Sequence, residues 1–213
     1  MTNLPVKRPR KLGEFAAGIL KHAKSLPEGG IISPKEFLHL GTRANVDQVL
    51  SRLARRGELL RVGRGMYTRP VKSRFGVRWP SSNKIVESIS QRTGESIVSS
   101  GAVAANALGL STQIPMRELF LTSGPSRSVK IGRREIELRH APQWQVREGI
   151  AGAVIRAVLS LGEQYSEETL IQLWPKLSEV ERKQLKASSS SAPTWMTTAI
   201  SKQFVRDEEK SVV

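Results

Sequence analysis

The chain has 213 residues, 38% of them hydrophobic, and carries 34 Lys and Arg against 19 Asp and Glu, a formal charge of +15. It has no cysteine, which excludes disulfides and thiolate metal sites and agrees with a reducing cytoplasm. No run approaches the roughly 20 apolar residues of a membrane span, and the basic opening MTNLPVKRPRKLGEF leads into neither an apolar stretch nor a cleavage site, so neither a spanning helix nor a secretory signal is expected.

The charge is uneven. Residues 1–80 hold 17 basic and 5 acidic residues, a net +12, whereas residues 81–213 hold 17 and 14, a net +3. A basic excess confined to one segment suits a polyanion, because each neutralised phosphate releases condensed counterions; a solvated basic surface and ribosome association are the competing readings. In that segment, Leu12 to Leu26 repeats apolar residues at Leu12, Phe15, Ala16, Ile19, Leu20 and Ala23, which predicts an amphipathic helix ended by Pro27, Gly29 and Gly30. After the apolar step Ile31-Ile32, Ser33, Pro34 and Glu36 supply a cap, a first-turn proline and a capping-box glutamate for a second helix of about two turns. Gly41 is expected to stop it as a left-handed cap, and Thr42 to cap a third helix, Arg43–Arg56.

That third helix puts Val46, Val49, Leu50 and Leu53 on one face and Arg43, Asn45, Gln48, Ser51, Arg52 and Arg55 mostly outward. Two helices joined by a short Gly-containing turn, followed by strands at Leu59–Val62 and Met66–Thr68 around Gly63-Arg64-Gly65, predict a winged helix-turn-helix. Arg can pair with guanine, and Asn or Gln with adenine, through two hydrogen bonds, so Arg43, Asn45 and Gln48 are the candidate base readers. Arg64 at the wing tip suits the minor groove or phosphates, and Lys35, Thr42, Ser51, Arg52, Arg55 and Arg61 suit the backbone. For any one of them the bland alternative is an exposed side chain without a contact.

Val71 to Pro80 reads as a short basic link, with Pro80 as the boundary between a DNA-binding domain over residues 1–79 and a second domain over residues 80–205. The second domain is expected to open with a helix over Lys84–Gln91 and an Ala-rich helix capped by Ser99 or Ser100 and ended at Gly109. Glu118–Thr122, Val129–Ile131 and Glu135–Arg139 then read as strands, the last two a hairpin, and a helical bundle follows from Gly149. Ser188 to Ser191 reads as a flexible connector and residues 206–213 as a frayed tail. The whole is α+β: a winged helix-turn-helix, then a mixed α/β domain ending in helices. Arg127, Lys130, Arg133, Arg134 and Arg139 gather a second basic group whose readings are a solvated face, extended DNA contact, or an acidic protein or nucleotide partner.

Two stretches carry a family resemblance: ISPKEFLHLGTRANVDQVLSRLARRGELLRVGRGMYTRP in the first domain and GAVAANALGLSTQIPMRELFLTSGPSRSVKIGRREIELRHAP in the second. Together they resemble the abortive-infection antitoxins of the AbiEi type. The resemblance implies an antitoxin that represses its own promoter at inverted repeats and that counteracts a nucleotidyltransferase-like toxin; winged domains on such palindromes usually act as pairs whose symmetry mirrors the operator.

Signals for chemistry are absent from the sequence. His22, His39 and His140 share no metal-ligand spacing, Gly63-Arg64-Gly65 is too short for a phosphate loop, and no nucleophile motif occurs, so neither a metal, a cofactor nor an enzymatic activity is expected. A stand-alone regulator with a ligand-sensing second domain and a DNA-targeted nuclease are the competing functions.

Overall fold

The computed structural model describes residues 12–113, 115–132 and 134–211; the basic opening, residues 1–11, and Arg133 lie outside them. The protein is α+β. In chain order it runs α1 (Leu12–Ser25), β1 (Ile31–Ile32), a 3-10 turn (Pro34–Phe37), α2 (Arg43–Arg55), β2 (Leu60–Gly63), β3 (Met66–Thr68), β4 (Val71–Ser73), β5 (Gly76–Arg78) and α3 (Ser82–Thr93). It continues with β6 (Ile97–Ser99), α4 (Gly101–Ala107), β7 (Glu118–Thr122), β8 (Arg127–Ile131), β9 (Arg134–His140), α5 (Gly149–Leu161), α6 (Ser166–Leu173), α7 (Glu179–Ser189) and α8 (Thr194–Ser211). No helix among the described residues is long and apolar enough to cross a membrane.

Two units emerge, one of residues 1–93 with 129–136, the other of residues 94–128 with 137–213. The first unit reaches Thr93, past the Pro80 at which the sequence reading divides the chain, because α3 is tied to the segment around β1. Ile31 N–H donates to Ser88 Oγ at 3.0 Å, and Arg92 donates to Ile31 O at 3.1 Å and to the Ser33 hydroxyl. The core of this unit joins Phe15, Ile19 and Ala23 of α1 to Val46, Val49, Leu50 and Leu53 of α2, with Ile32, Phe37, Leu59 and Tyr67 between them. β3 is the middle strand of a three-stranded antiparallel sheet ordered β1-β3-β2.

Glu36 is the polar hub of this unit. Its carboxylate accepts from Ser33 N–H at 2.9 Å and from the Ser33 hydroxyl at 3.1 Å, pairs with Arg92 at 2.7 Å and lies 3.1 Å from His22 Nε2. Partial burial by itself raises a carboxyl pKa, but the Arg92 and Ser33 hydrogen bonds outweigh it and hold Glu36 below the usual range. A depressed folded pKa means that this stability is complete above the unfolded value, roughly pH 4.3, and drains as the pH falls through the folded one. Glu36→Gln is therefore expected to cost about 1–2 kcal/mol at pH 7, discounted for a side chain still partly in water, and less in acid. Urea unfolding at pH 7 and pH 4 checks this: equal losses at both would mean that the carboxylate's charge contributes nothing.

Four local expectations are corrected. The second helix is one 3-10 turn rather than two α-helical turns, and Leu38 to Leu40 form a plain turn before Thr42. Gly41 has no positive φ; its use is space, since a Cβ there would lie 3.3 Å from the Phe15 ring. Ser188 and Ser189 are buried in the last turn of α7 instead of forming a free connector, and α8 continues through residues 206–211, where Arg206 pairs with Glu167 and Asp207 with Arg182.

The second unit packs α5 to α8 around Val154, Ile155, Val158, Leu170, Trp174, Leu185, Met196 and Ile200. Small residues let α4 approach α5 closely: a Cβ on Gly101 would lie 2.4 Å from Arg156 O. A four-stranded sheet has the order β6-β7-β9-β8, in which β6 pairs antiparallel with β7 from Ile97↔Thr122 to Ser99↔Phe120.

Candidate nucleic-acid interface

α2 begins at a clean cap. Thr42 is extended (φ −65°, ψ 154°), and its hydroxyl accepts from Asn45 N–H at 3.4 Å. With about 100° per residue, the buried stripe Val46, Val49, Leu50 and Leu53 fixes the opposite face, at whose centre lie Gln48, Ser51 and Arg55. Arg43 and Asn45 flank it at the amino-terminal end. Thr42, Arg43, Asn45, Gln48 and Arg55 are exposed, while Ser51 and Arg52 are half-buried. The structure thus brings these predicted residues together on one solvent-facing surface.

Their side chains differ in commitment. Arg43 Nε donates to Asp47 at 2.8 Å, an exposed pair that orients the side chain and adds only a few tenths of a kcal/mol, roughly 0.3–0.5. The side chains of Asn45, Gln48, Arg52 and Arg55 make no hydrogen bond or ion pair among the described residues. Arg56, exposed as the carboxyl-terminal cap of α2, adds a cation that the sequence reading left out of the site.

The β2–β3 turn presents Arg64 to solvent, with Gly65 at φ +66° making the reversal. Gly63 leaves room for Met66, whose Cε would lie 2.5 Å from a Cβ there. Arg61 is exposed and donates through Nε to Gly63 O at 3.3 Å, and Lys35 is exposed on the 3-10 turn.

The described members of the second basic group differ in their partners and in the unit they belong to. Arg127 is paired with Glu95 at 2.8 Å and Arg139 with Glu137 at 2.9 Å, which offsets their charge. Lys130 and Arg134 belong to the part of the β8–β9 hairpin that goes with the first unit. There Gly132, at φ +65°, is covered by the Trp79 indole: a Cβ would lie 2.8 Å from its Nε1.

One element was missed altogether. Residues 71–78, read as a basic link, form the separate antiparallel hairpin β4–β5, registered Val71↔Arg78, Lys72↔Val77 and Ser73↔Gly76. Ser73 closes its turn, accepting from Phe75 N–H at 3.2 Å and donating to Gly76 O at 3.1 Å, and Gly76 takes φ +111°. The Ser-x-x-Gly spacing is the signal that would have found it. Its base is fixed to the α1–β1 loop, where Glu28 takes hydrogen bonds from Arg78 at 3.0 and 3.2 Å and from Ser81 N–H at 3.1 Å.

No group of three or more His, Cys, Asp or Glu among the described residues is placed to hold a metal ion. A family model matches residues 18–187. The chain belongs to DUF6088, a family of unknown function. The DUF6088 match begins at Gly18 in α1 and ends at Ala187 in α7, so α2, both small hairpins and the four-stranded sheet all lie inside it. No curated protein matches the chain.

Proposed function

We propose that the first unit binds double-stranded DNA as a winged helix-turn-helix, with the 3-10 turn and α2 as the helix pair, α2 in the major groove and the β2–β3 hairpin as the wing. The observation that carries this reading is the outward face of α2, where exposed Asn45, Gln48 and Arg55 make no side-chain bonds among the described residues, beside a segment of net charge +12. Polar side chains with bonding capacity to spare on a rigid helix can read base edges, and the surrounding cations supply phosphate affinity.

The protein is, on this reading, a non-catalytic cytoplasmic antitoxin that represses its own promoter, paired on an inverted repeat, and counteracts a nucleotidyltransferase-like toxin. The antitoxin part rests on the AbiEi-type resemblance of the two quoted stretches; the DNA-binding part also rests on α2. A gel-shift titration on the protein's own upstream region, with random duplex as competitor, tests it. Competitor-resistant shifts in two steps are expected, and binding that random duplex removes equally well would reduce the surface to a non-specific basic one.

A cleft of about 460 Å³ in the second unit favours one other reading, a stand-alone regulator that senses a small ligand. Arg117, Glu137, Arg139 and Ser160 are among its polar lining residues. A neighbouring nucleotidyltransferase gene favours the antitoxin, an isolated locus the regulator.

A further inference from the structure

The β4–β5 hairpin is unlike the rest of the first unit's surface. Its tip puts Phe75 in solvent at 86% exposure, with Val77 at 67% beside it. Residues 69–80 hold Arg69, Lys72, Arg74 and Arg78 and no acidic residue. The Arg74 guanidinium lies 4.6 Å from the Phe75 ring centroid, shielding part of the ring and keeping a cation at the tip. The register divides the faces: Val71 and Arg78 point to the side anchored on Glu28, whereas Lys72 and Val77 share the free side.

A large apolar side chain held in water on a cationic ribbon is costly as a surface and well suited to a polyanion with an apolar interior. Duplex DNA is that polyanion. Three residues per strand at roughly 3.4 Å each carry the tip about 10 Å from its base, and a minor groove roughly 6 Å wide and 7.5 Å deep admits the tip side chain rather than the two-stranded ribbon. We infer that β4–β5 is a second DNA-contacting element, in which Phe75 wedges between base pairs from the minor groove while Lys72 and Arg74 hold the flanking phosphates. This inference rests on the reading of the first unit as a duplex-binding module. The wedge partly unstacks one base step and bends the DNA toward the major groove.

The test uses the full chain on a duplex of its own upstream region, doubly end-labelled to read bending by energy transfer and carrying 2-aminopurine at successive positions to read unstacking. Phe75→Ala is expected to weaken binding about 5- to 100-fold, as loss of one stacking side chain does, and to abolish both the bend and the local 2-aminopurine signal. Phe75→Leu, still an apolar wedge, keeps the bend. Because the ring is exposed, neither variant alters thermal unfolding. If Phe75→Ala binds and bends like wild type while Gln48→Ala loses affinity, the hairpin is not a DNA element and the inference falls, leaving the α2 reading intact; selective loss of a protein partner has the same consequence. If the wild type itself shows no preference for the duplex over random competitor, both fall together.

Discussion

Gln48→Ala is expected to weaken operator binding by about 1–3 kcal/mol, roughly 5- to 150-fold, without changing the unfolding transition. Gln48 leads because it lies at the centre of the α2 face opposite the buried stripe, exposed and without a bond of its own among the described residues. Arg43→Ala should cost a comparable amount, although Asp47 already holds its Nε and leaves the guanidinium end to contact DNA. Arg55→Ala makes the contrasting case: losing a phosphate contact weakens binding to all sequences alike and lowers the slope of log affinity against log salt by about one. Titration on operator and random duplex at several salt concentrations separates the two behaviours. Equal affinity for Gln48→Ala and wild type would remove α2 as the recognition helix.

The second large effect lies in the other unit. Arg156 on α5 is 5% exposed and donates to Gln145 O at 3.0 Å and Arg147 O at 2.7 Å, with Gly152 leaving room for the guanidinium and the Arg147 carbonyl. Burial pulls its pKa down to about 10, so it remains a cation at neutral pH. Arg156→Ala removes two charge-assisted hydrogen bonds, takes that donor from both carbonyls and opens a cavity; a loss of roughly 3–5 kcal/mol is expected. Arg156→Met, which restores volume but no donor, should recover only the cavity part. Tryptophan fluorescence in urea reports this directly, because Trp174 is buried in the second unit's helical core and Trp144 and Trp195 pack against it. A shift below roughly 0.5 kcal/mol would mean that the desolvation cost of the guanidinium cancels what its bonds contribute.

What was legible in the sequence was local and periodic. The α2 stripe, the Thr42 cap and the Gly109 stop each depend on residues within one or two turns, and each stands where the pattern put it; of the two serines offered for the start of α4, Ser100 holds the N-cap position, without a side-chain cap hydrogen bond. What escaped depends on partners far along the chain or on strands too short to show a period. β6 is three residues long and is a strand only because β7 lies against it. The β4–β5 hairpin has three-residue strands with no apolar alternation, and its turn is closed by a serine side chain and the φ of one glycine. The pairing of Arg127 with Glu95, 32 positions away, was equally beyond a local reading, so the second basic group looked more uniform than it is.

The first unit is not continuous in the chain: residues 129–136 belong to it although residues 94–128 belong elsewhere. During synthesis this segment is made after the unit's helices, and at about 5–20 residues per second the interval between Thr93 and Ile136 lasts seconds. For that time Trp79 has emerged without the turn at Gly132 that it covers. A gene truncated behind Pro80 makes this unfinished state permanent. Splitting the protein into separately expressed halves should give a first half prone to aggregation, whereas a split that carries residues 129–136 along on a short linker should give a soluble one.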